Sequence, residues 1–264
     1  MRLNGNNITI TESMRYAQSI QNSILPSDGD IGEFLDFFTI YLPKDIVSGD
    51  FYMYEKLPCG GFITVVADCT GHGVPGAFMS LIGYDILEQI IKISGITSPV
   101  EILELLSEKF SKTLKQDSEH NTDGIDLSIC KFEPGEGYYD VTFSGTRSSV
   151  YVFSEKENKI SKIRGSQRQI GYGFEATDKS YSFEPHYFKF MPKDFIVMLS
   201  DGLIDQCDKN RRRFGSQRFS EFLVLNSDQP MRKLGTLLGN ELQDFMGAAG
   251  QRDDITVFGF RMKD

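Results

Sequence analysis

Along the chain, apolar positions first recur at helical spacing. Over 9–25, "TITESMRYAQSIQNSIL", Met14, Ala17, Ile20, Ile24 and Leu25 mark one stripe, and Pro26 ends the run. Thr9 and Glu12 have capping-box spacing, which predicts that the helix opens there. From residue 34 the period shortens. "FLDFFTIYL", "GDFYMYEKL" and "GGFITVVAD" read as strands, with turn signals at Pro43 and at Pro58-Cys59-Gly60-Gly61. Two helices follow. One, over 75–93, is opened by Pro75, with Phe78, Leu81, Ile82, Ile86, Leu87 and Ile90 as its apolar face. The other opens at Ser98-Pro99-Val100-Glu101, where a capping box meets a proline at the first helical position, and buries Ile102, Leu103, Leu106, Phe110 and Leu114. Strand signals then resume in "GIDLSICKFE", "GYYDVTFSG", "SSVYVFSE", "NKISKIRG", "KSYSFEPHYFKF" and "DFIVMLSDG". Helices over 216–225 and 230–246 and a last strand, "DDITVFGFRM", close the chain.

Strands in hairpin-like series with helices in pairs between them predict an α+β fold. Two packed antiparallel sheets flanked by helix pairs, a four-layer αββα sandwich, would bury every apolar stripe. Residues 1–33 read as a separable connector or regulatory helix ahead of a domain over 34–264. Such a stripe usually docks on its own domain, and the polar loop after it also allows a connector or a dimer face.

Composition changes little in this picture. The 264 residues are 40% hydrophobic and 25% charged, as in an ordinary globular protein. No apolar run approaches the ~18–20 residues of a membrane span, and "MRLNGNNITI" lacks the apolar stretch of a signal peptide. The cysteines at 59, 69, 130 and 207 have no C-x-x-C spacing, so a reducing, cytoplasmic setting is expected. A net charge of −9 argues against a nucleic-acid partner, and the basic run Arg211-Arg212-Arg213 reads as a solvated loop.

Four aspartates stand at the rims of apolar elements. Asp50 begins a strand, Asp68 and Asp201 each end one, and Asp253, beside Asp254, precedes the last. Any one of them reads as a turn residue. Together they read as carboxylates converging on one site, because a buried carboxylate needs a partner or a cation. Oxygen donors without Cys or His favour Mg²⁺ or Mn²⁺. The residues thus point to a metal-assisted hydrolase.

"PKDIVSGDFY", "VADCTGHGVPGAFMS", "LSDGLIDQ" and "QRDDITV" follow the order and spacing of the PPM-type metal-dependent serine/threonine protein phosphatases, and the chain resembles their bacterial SpoIIE/RsbU-like branch. "MRYAQSIQNSILP" is similar to the helix that precedes this domain in bacterial sensor proteins. The resemblance implies a β-sandwich flanked by helix pairs and two Mn²⁺ or Mg²⁺ ions. It assigns as ligands Asp50, Asp68, the backbone carbonyl of Cys69, Asp201 and Asp253, with Asp254 as the alternative in that last motif. It also implies a phosphoprotein substrate, a phosphorylated STAS-domain regulator of the anti-sigma-antagonist type.

Departures from the animal members are visible. Gly49 stands where they carry an acidic residue, and Thr146, in Ser144-Gly145-Thr146-Arg147, stands where they carry the Asp of a third ion, leaving Asp205 as a substitute. Their phosphate-binding arginine has no counterpart beyond Lys44. Their catalytic histidine aligns nearer Thr70 than His72, and His120 and His186 read as surface or packing residues. Two rival readings remain: a catalytically weak binding module of the same fold, and an unrelated phosphoesterase acting on nucleotides.

Overall fold

The computed structural model describes residues 2–58, 60–116, 121–171 and 182–263. The expectations for Cys59, His120 and the strand positions 179–181 lie outside them. Two antiparallel sheets form the body. One orders β1 (Leu35–Leu42), β11 (Ile255–Met262), β10 (Phe195–Leu199), β6 (Ser149–Ser154) and β7 (Lys159–Arg164). The other orders β2 (Asp50–Lys56), β3 (Phe62–Cys69), β4 (Gly124–Pro134), β5 (Tyr139–Gly145) and β9 (His186–Phe190), with β8 (Ile170–Gly171) also beside β4.

Both faces of each sheet are covered, which explains why these antiparallel strands read as nearly continuous apolar runs. Tyr52, Phe62, Phe132, Met198, Phe258 and Phe260 meet between the sheets. Phe51, Met53, Val65 and Leu127 turn outward against α3 (Gly73–Glu88) and α4 (Pro99–Thr113). Tyr151, Phe195, Val197 and Val257 turn outward against the helices Ser216–Leu225 and Met231–Met246. The result is the four-layer αββα sandwich. No helix among the described residues is long and apolar enough to cross a membrane.

The helices correct several expectations. The first helix, α1, spans Arg2–Ile24, so Thr9 lies inside it and not at its start. Its docked face runs through half-buried Met14 and Ala17 to buried Gln21, while Ile20 is 45% exposed. Counting apolar residues missed this because the centre of the face is a polar amide. In α3, Phe78 is exposed, and Met79, Tyr84, Ile86 and Leu87 are buried, as is Ile90 just beyond its end. The buried stripe includes Gly83, where an added Cβ would lie 2.7 Å from Ile125 Cδ1, so a residue without a side chain belongs to the packed face. This helix starts at Gly73, ahead of Pro75, and runs into a π-helical turn, Gln89–Ile93. Ser98 is the N-cap of α4 with Pro99 just inside, but its side chain makes no capping bond. A short helix, α2 (Asp28–Gly32), capped by the Ser27 hydroxyl, leads into β1 and places Ile31 in the core between the sheets.

Candidate active site

Strand register builds the site. Asp50 on β2 lies opposite Asp68 on β3, which lies opposite Asp126 on β4. Paired residues on antiparallel neighbours share a face, so three carboxylates line up on the side facing the other sheet. From that sheet, β10 ends at Leu199 and delivers Ser200 and Asp201 to the same end of the sandwich. Asp50 is 1% exposed and accepts a hydrogen bond of 2.6 Å from Ser200 Oγ.

The electrostatics record how crowded this is. Burial, opposed by hydrogen bonds, pushes the Asp50 carboxyl up to about 8. Burial first, and then Asp50, Asp201, Asp253 and Asp126, hold Asp68 well above the carboxylate range. Asp201 is raised by burial and by Asp205 and Asp253, and it lies within hydrogen-bonding reach of Asp68. Two carboxylates that close are bridged by a shared proton or by a cation.

The backbone around them is set by glycines. Gly71 and Gly73 take φ of +88° and +63°, letting the chain turn from β3 into α3. At Gly49 a Cβ would lie 2.3 Å from Gly71 O and 3.2 Å from Cys69 O, so the Cys69 carbonyl sits beside the residue preceding Asp50. The Cys69 thiol points elsewhere. It is buried beneath α3, and burial holds its pKa well up, so it remains a neutral thiol. Asp254 is buried, its Oδ1 accepting from Lys44 N at 2.7 Å and its Oδ2 from Gly49 N at 2.6 Å. Asp253 is exposed and lines a small pocket of about 180 Å³ with Asp201, Asp205, Arg213 and Arg252.

A larger cleft of about 380 Å³ opens over the carboxylates, with Asp68, Asp126 and Asp201 among its lining and Arg147, Ser148, Tyr151 and Lys162 on its walls. The donor set is all oxygen and strongly self-repelling, which fits hard divalent cations. Among the described residues no three Asp, Glu, His or Cys side chains close on one point, so a cation here would draw further ligands from backbone carbonyl and water.

A profile of the family described as Stage II sporulation protein E (SpoIIE) matches residues 58–263. The chain belongs to the SpoIIE family. The phosphoserine phosphatase RsbU of Bacillus subtilis (strain 168) is 27% identical over 263 residues, covering 96% of this chain and 71% of RsbU. The SiaA-PP2C domain of Pseudomonas aeruginosa superposes with a TM-score of 0.85 at 27% identity, over 98% of this chain and 99% of that domain. The SpoIIE phosphatase domain with a regulatory fragment, from Bacillus subtilis, shares the fold at a TM-score of 0.67 and 18% identity, over 87% of this chain and 64% of that one. This SpoIIE-family chain is thus a PP2C-type serine/threonine phosphatase. The matched span takes in Asp68, Asp201 and Asp253, and Asp50 precedes it.

Other residues singled out in the sequence fall around this site. His72 is the N-cap of α3, with Nδ1 2.7 Å from Asp45 Oδ2 and Nε2 2.9 Å from Lys44 Nζ. The ammonium must donate, so Nε2 accepts and Nδ1–H donates to Asp45; both nitrogens, and Lys44 with them, are engaged away from the cleft lining. The Thr146 hydroxyl accepts from Leu127 N at 2.8 Å, stapling the end of β5 to β4. Asp205 pairs with Arg213 at 2.9 Å. Sequence reasoning missed Asp126 and Arg147. Asp126 sits two residues after Gly124 at the start of an apolar strand, the same signal that marked Asp50. Arg147 lay inside the quoted Ser144-Gly145-Thr146-Arg147 string.

Proposed function

We propose that the chain dephosphorylates a phosphoserine or phosphothreonine on a STAS-domain regulator, using two Mn²⁺ or Mg²⁺ ions held by Asp50, Asp68, the Cys69 carbonyl, Asp201 and Asp253. The observation that carries this reading is the register Asp50–Asp68–Asp126 on three adjacent strands, faced by Asp201 from the opposite sheet. Divalent cations supply an acidified water and charge neutralisation for phosphoryl oxygens. The chain's own residues do the rest. Ser200 orients Asp50, and Asp254 ties the Lys44–Gly49 segment so that Asp50 and the Cys69 carbonyl stay together. Asp253, whose carboxylate is not engaged by those amides, is the better ligand candidate of the adjacent pair.

The STAS-domain substrate is supported by the likeness to RsbU and by the helix motif preceding the domain. Cytoplasmic action, alone or as the output domain of a receptor, belongs to the same proposal. So does pairing of two copies through α1, which presents Ile10, Tyr16 and Ile20 to solvent. The test is turnover of a phosphorylated STAS domain with Mn²⁺, Mg²⁺, Ca²⁺ or EDTA. Release of phosphate with Mn²⁺ or Mg²⁺, abolished by EDTA, is expected. Hydrolysis of nucleotides but no phosphoprotein would overturn the reading, and binding without turnover would favour a regulatory module of the same fold.

A further inference from the structure

We infer that Arg147, held on the cleft wall by Asp126, is the side chain that receives the substrate's phosphoryl group, with Lys162 as the second cation of that wall. This rests on the phosphatase reading of the cleft and goes further by naming what binds the anion. A phosphomonoester carries close to two negative charges at neutral pH. The cleft it must enter is lined by Asp68, Asp126 and Asp201 with Asp50 behind them, and the cationic side chains in its lining are Arg147 and Lys162. Lys44, the substitute offered by sequence, is engaged by His72.

Arg147 is built for this role. Its Nε lies 3.0 Å from both oxygens of Asp126 and its Nη2 lies 2.6 Å from Oδ2, so the guanidinium is gripped along one edge. Five N–H donors in a planar fork leave others for a second acceptor. The side chain is 47% exposed, so an incoming anion can reach it. Its backbone is also unusual. Arg147 takes φ 45°, uncommon for a residue with a side chain, and is held there by its N–H to Ser166 O at 2.7 Å. A partly exposed ion pair adds little to stability, so stability alone gives little reason to hold an arginine this way. Asp126 acts through Arg147 as its positioning residue. Lys162, on edge strand β7, stands over the Tyr151 ring at 5.2 Å.

The experiment compares wild type with Arg147→Ala, Arg147→Lys and Asp126→Asn at saturating Mn²⁺. It reads KM and kcat for a phosphoserine protein, the inhibition constant of inorganic phosphate, the apparent Mn²⁺ constant, and calorimetric phosphate binding by the Mn²⁺-loaded protein. Hydrogen bonds to charged groups are worth ~1.5–3 kcal/mol, so Arg147→Ala should weaken phosphate and raise KM roughly 10- to 150-fold with the Mn²⁺ constant unchanged. Arg147→Lys should recover part of that and Asp126→Asn should lose less. Unchanged phosphate binding in folded Arg147→Ala, no phosphate binding by wild type, or a shift confined to the Mn²⁺ constant would each overturn the inference. Arg147-dependent phosphate binding in a protein that turns over no phosphoprotein would support it while sinking the functional reading.

Discussion

The carboxamide of Gln21 and the backbone of Ser48 exchange two hydrogen bonds, Nε2 donating to Ser48 O at 2.6 Å and Oε1 accepting from Ser48 N at 3.0 Å. The same Nε2 reaches Ser80 Oγ on α3 at 2.9 Å, and Ser48 Oγ accepts from Asp50 N at 3.0 Å. One buried amide on α1 therefore touches the residue that holds Asp50 and the helix that follows the Asp68 turn. This contact gives physical form to the proposal that residues 1–33 regulate the domain. Gln21→Ala would leave the buried Ser48 N–H unpaired, at about 1–3 kcal/mol, and would leave Ser48 O with Ser80 Oγ alone, at 3.3 Å. The expected outcome is a lower melting temperature, a lower kcat and a weaker apparent Mn²⁺ affinity. Ile24→Asp should behave similarly, whereas Ile20→Asp, on the exposed face, should not change stability. If Gln21→Ala and removal of residues 1–28 leave kcat and the Mn²⁺ constant as in wild type, the helix is passive packing.

The architecture was legible because both faces of each sheet are covered, so strands such as Phe62–Ala67 announced themselves by nearly continuous apolar runs. The individual docked faces were less legible. Gln21 and Gly83 lie on the buried faces of α1 and α3, and neither carries a hydrophobic signal. The candidate site followed the same division. Asp50, Asp68 and Asp201 showed as carboxylates at strand ends, and Asp126 carries a similar local signal, but only register places it beside Asp68, and register between β3 and β4 depends on contacts far apart in the chain.

Stability without cations should depend on pH in a defined direction. Asp50 is raised from an ordinary carboxylate value to about 8, chiefly by burial. Between those values the folded state binds more protons than the unfolded one, so stability falls as pH rises. In EDTA the melting temperature should drop from about pH 5 to pH 8, beyond any change in a variant carrying Asp50→Asn. Mn²⁺ should reverse the drop, because it takes the place of the protons. A melting temperature in EDTA that rises over this range would contradict the electrostatics of the site.

Asp201→Asn separates function from stability. Asp201 is raised by burial and by its acidic neighbours, so neutralising it removes repulsion from the cation-free protein. The variant should melt at or above the wild-type temperature in EDTA. Its turnover should nevertheless fall at least roughly 10- to 100-fold, the loss typical even for residues that only support ligands. Near wild-type activity at low Mn²⁺ would remove Asp201 from the site.

Cys69→Ser tests whether the thiol takes any part. The side chain packs beneath α3 and burial keeps it protonated, while only the carbonyl is near Gly49. Burying a hydroxyl there should cost about 1–3 kcal/mol of stability. Turnover and Mn²⁺ affinity, measured below the melting transition, should stay within about twofold of wild type, since the serine backbone offers the same carbonyl. Loss of activity with intact fold and metal affinity would revive a nucleophilic thiol.

Gly49 is where animal members carry an acidic residue, and restoring that residue looks like a way to strengthen cation binding. The structure predicts the opposite. A Cβ at this position would lie 2.3 Å from Gly71 O, a backbone atom of the turn between β3 and α3, so no far end of a flexible side chain can move to relieve the clash. Either the Gly71 turn or the Ser48–Asp50 segment must shift. Both shifts disturb the same cluster, because Gly49 N is tied to Asp254 Oδ2 and Gly49 O accepts from Cys69 N at 3.2 Å. Gly49→Ala alone should therefore lower the melting temperature and weaken apparent Mn²⁺ affinity, and Gly49→Glu should be no better than Gly49→Ala. Titrating Mn²⁺ against activity and against melting temperature for both variants checks this. Tighter Mn²⁺ binding by Gly49→Glu than by wild type would mean that the turn yields, and that Gly49 is a lost ligand position rather than the residue that lets Asp50 and the Asp68 turn meet.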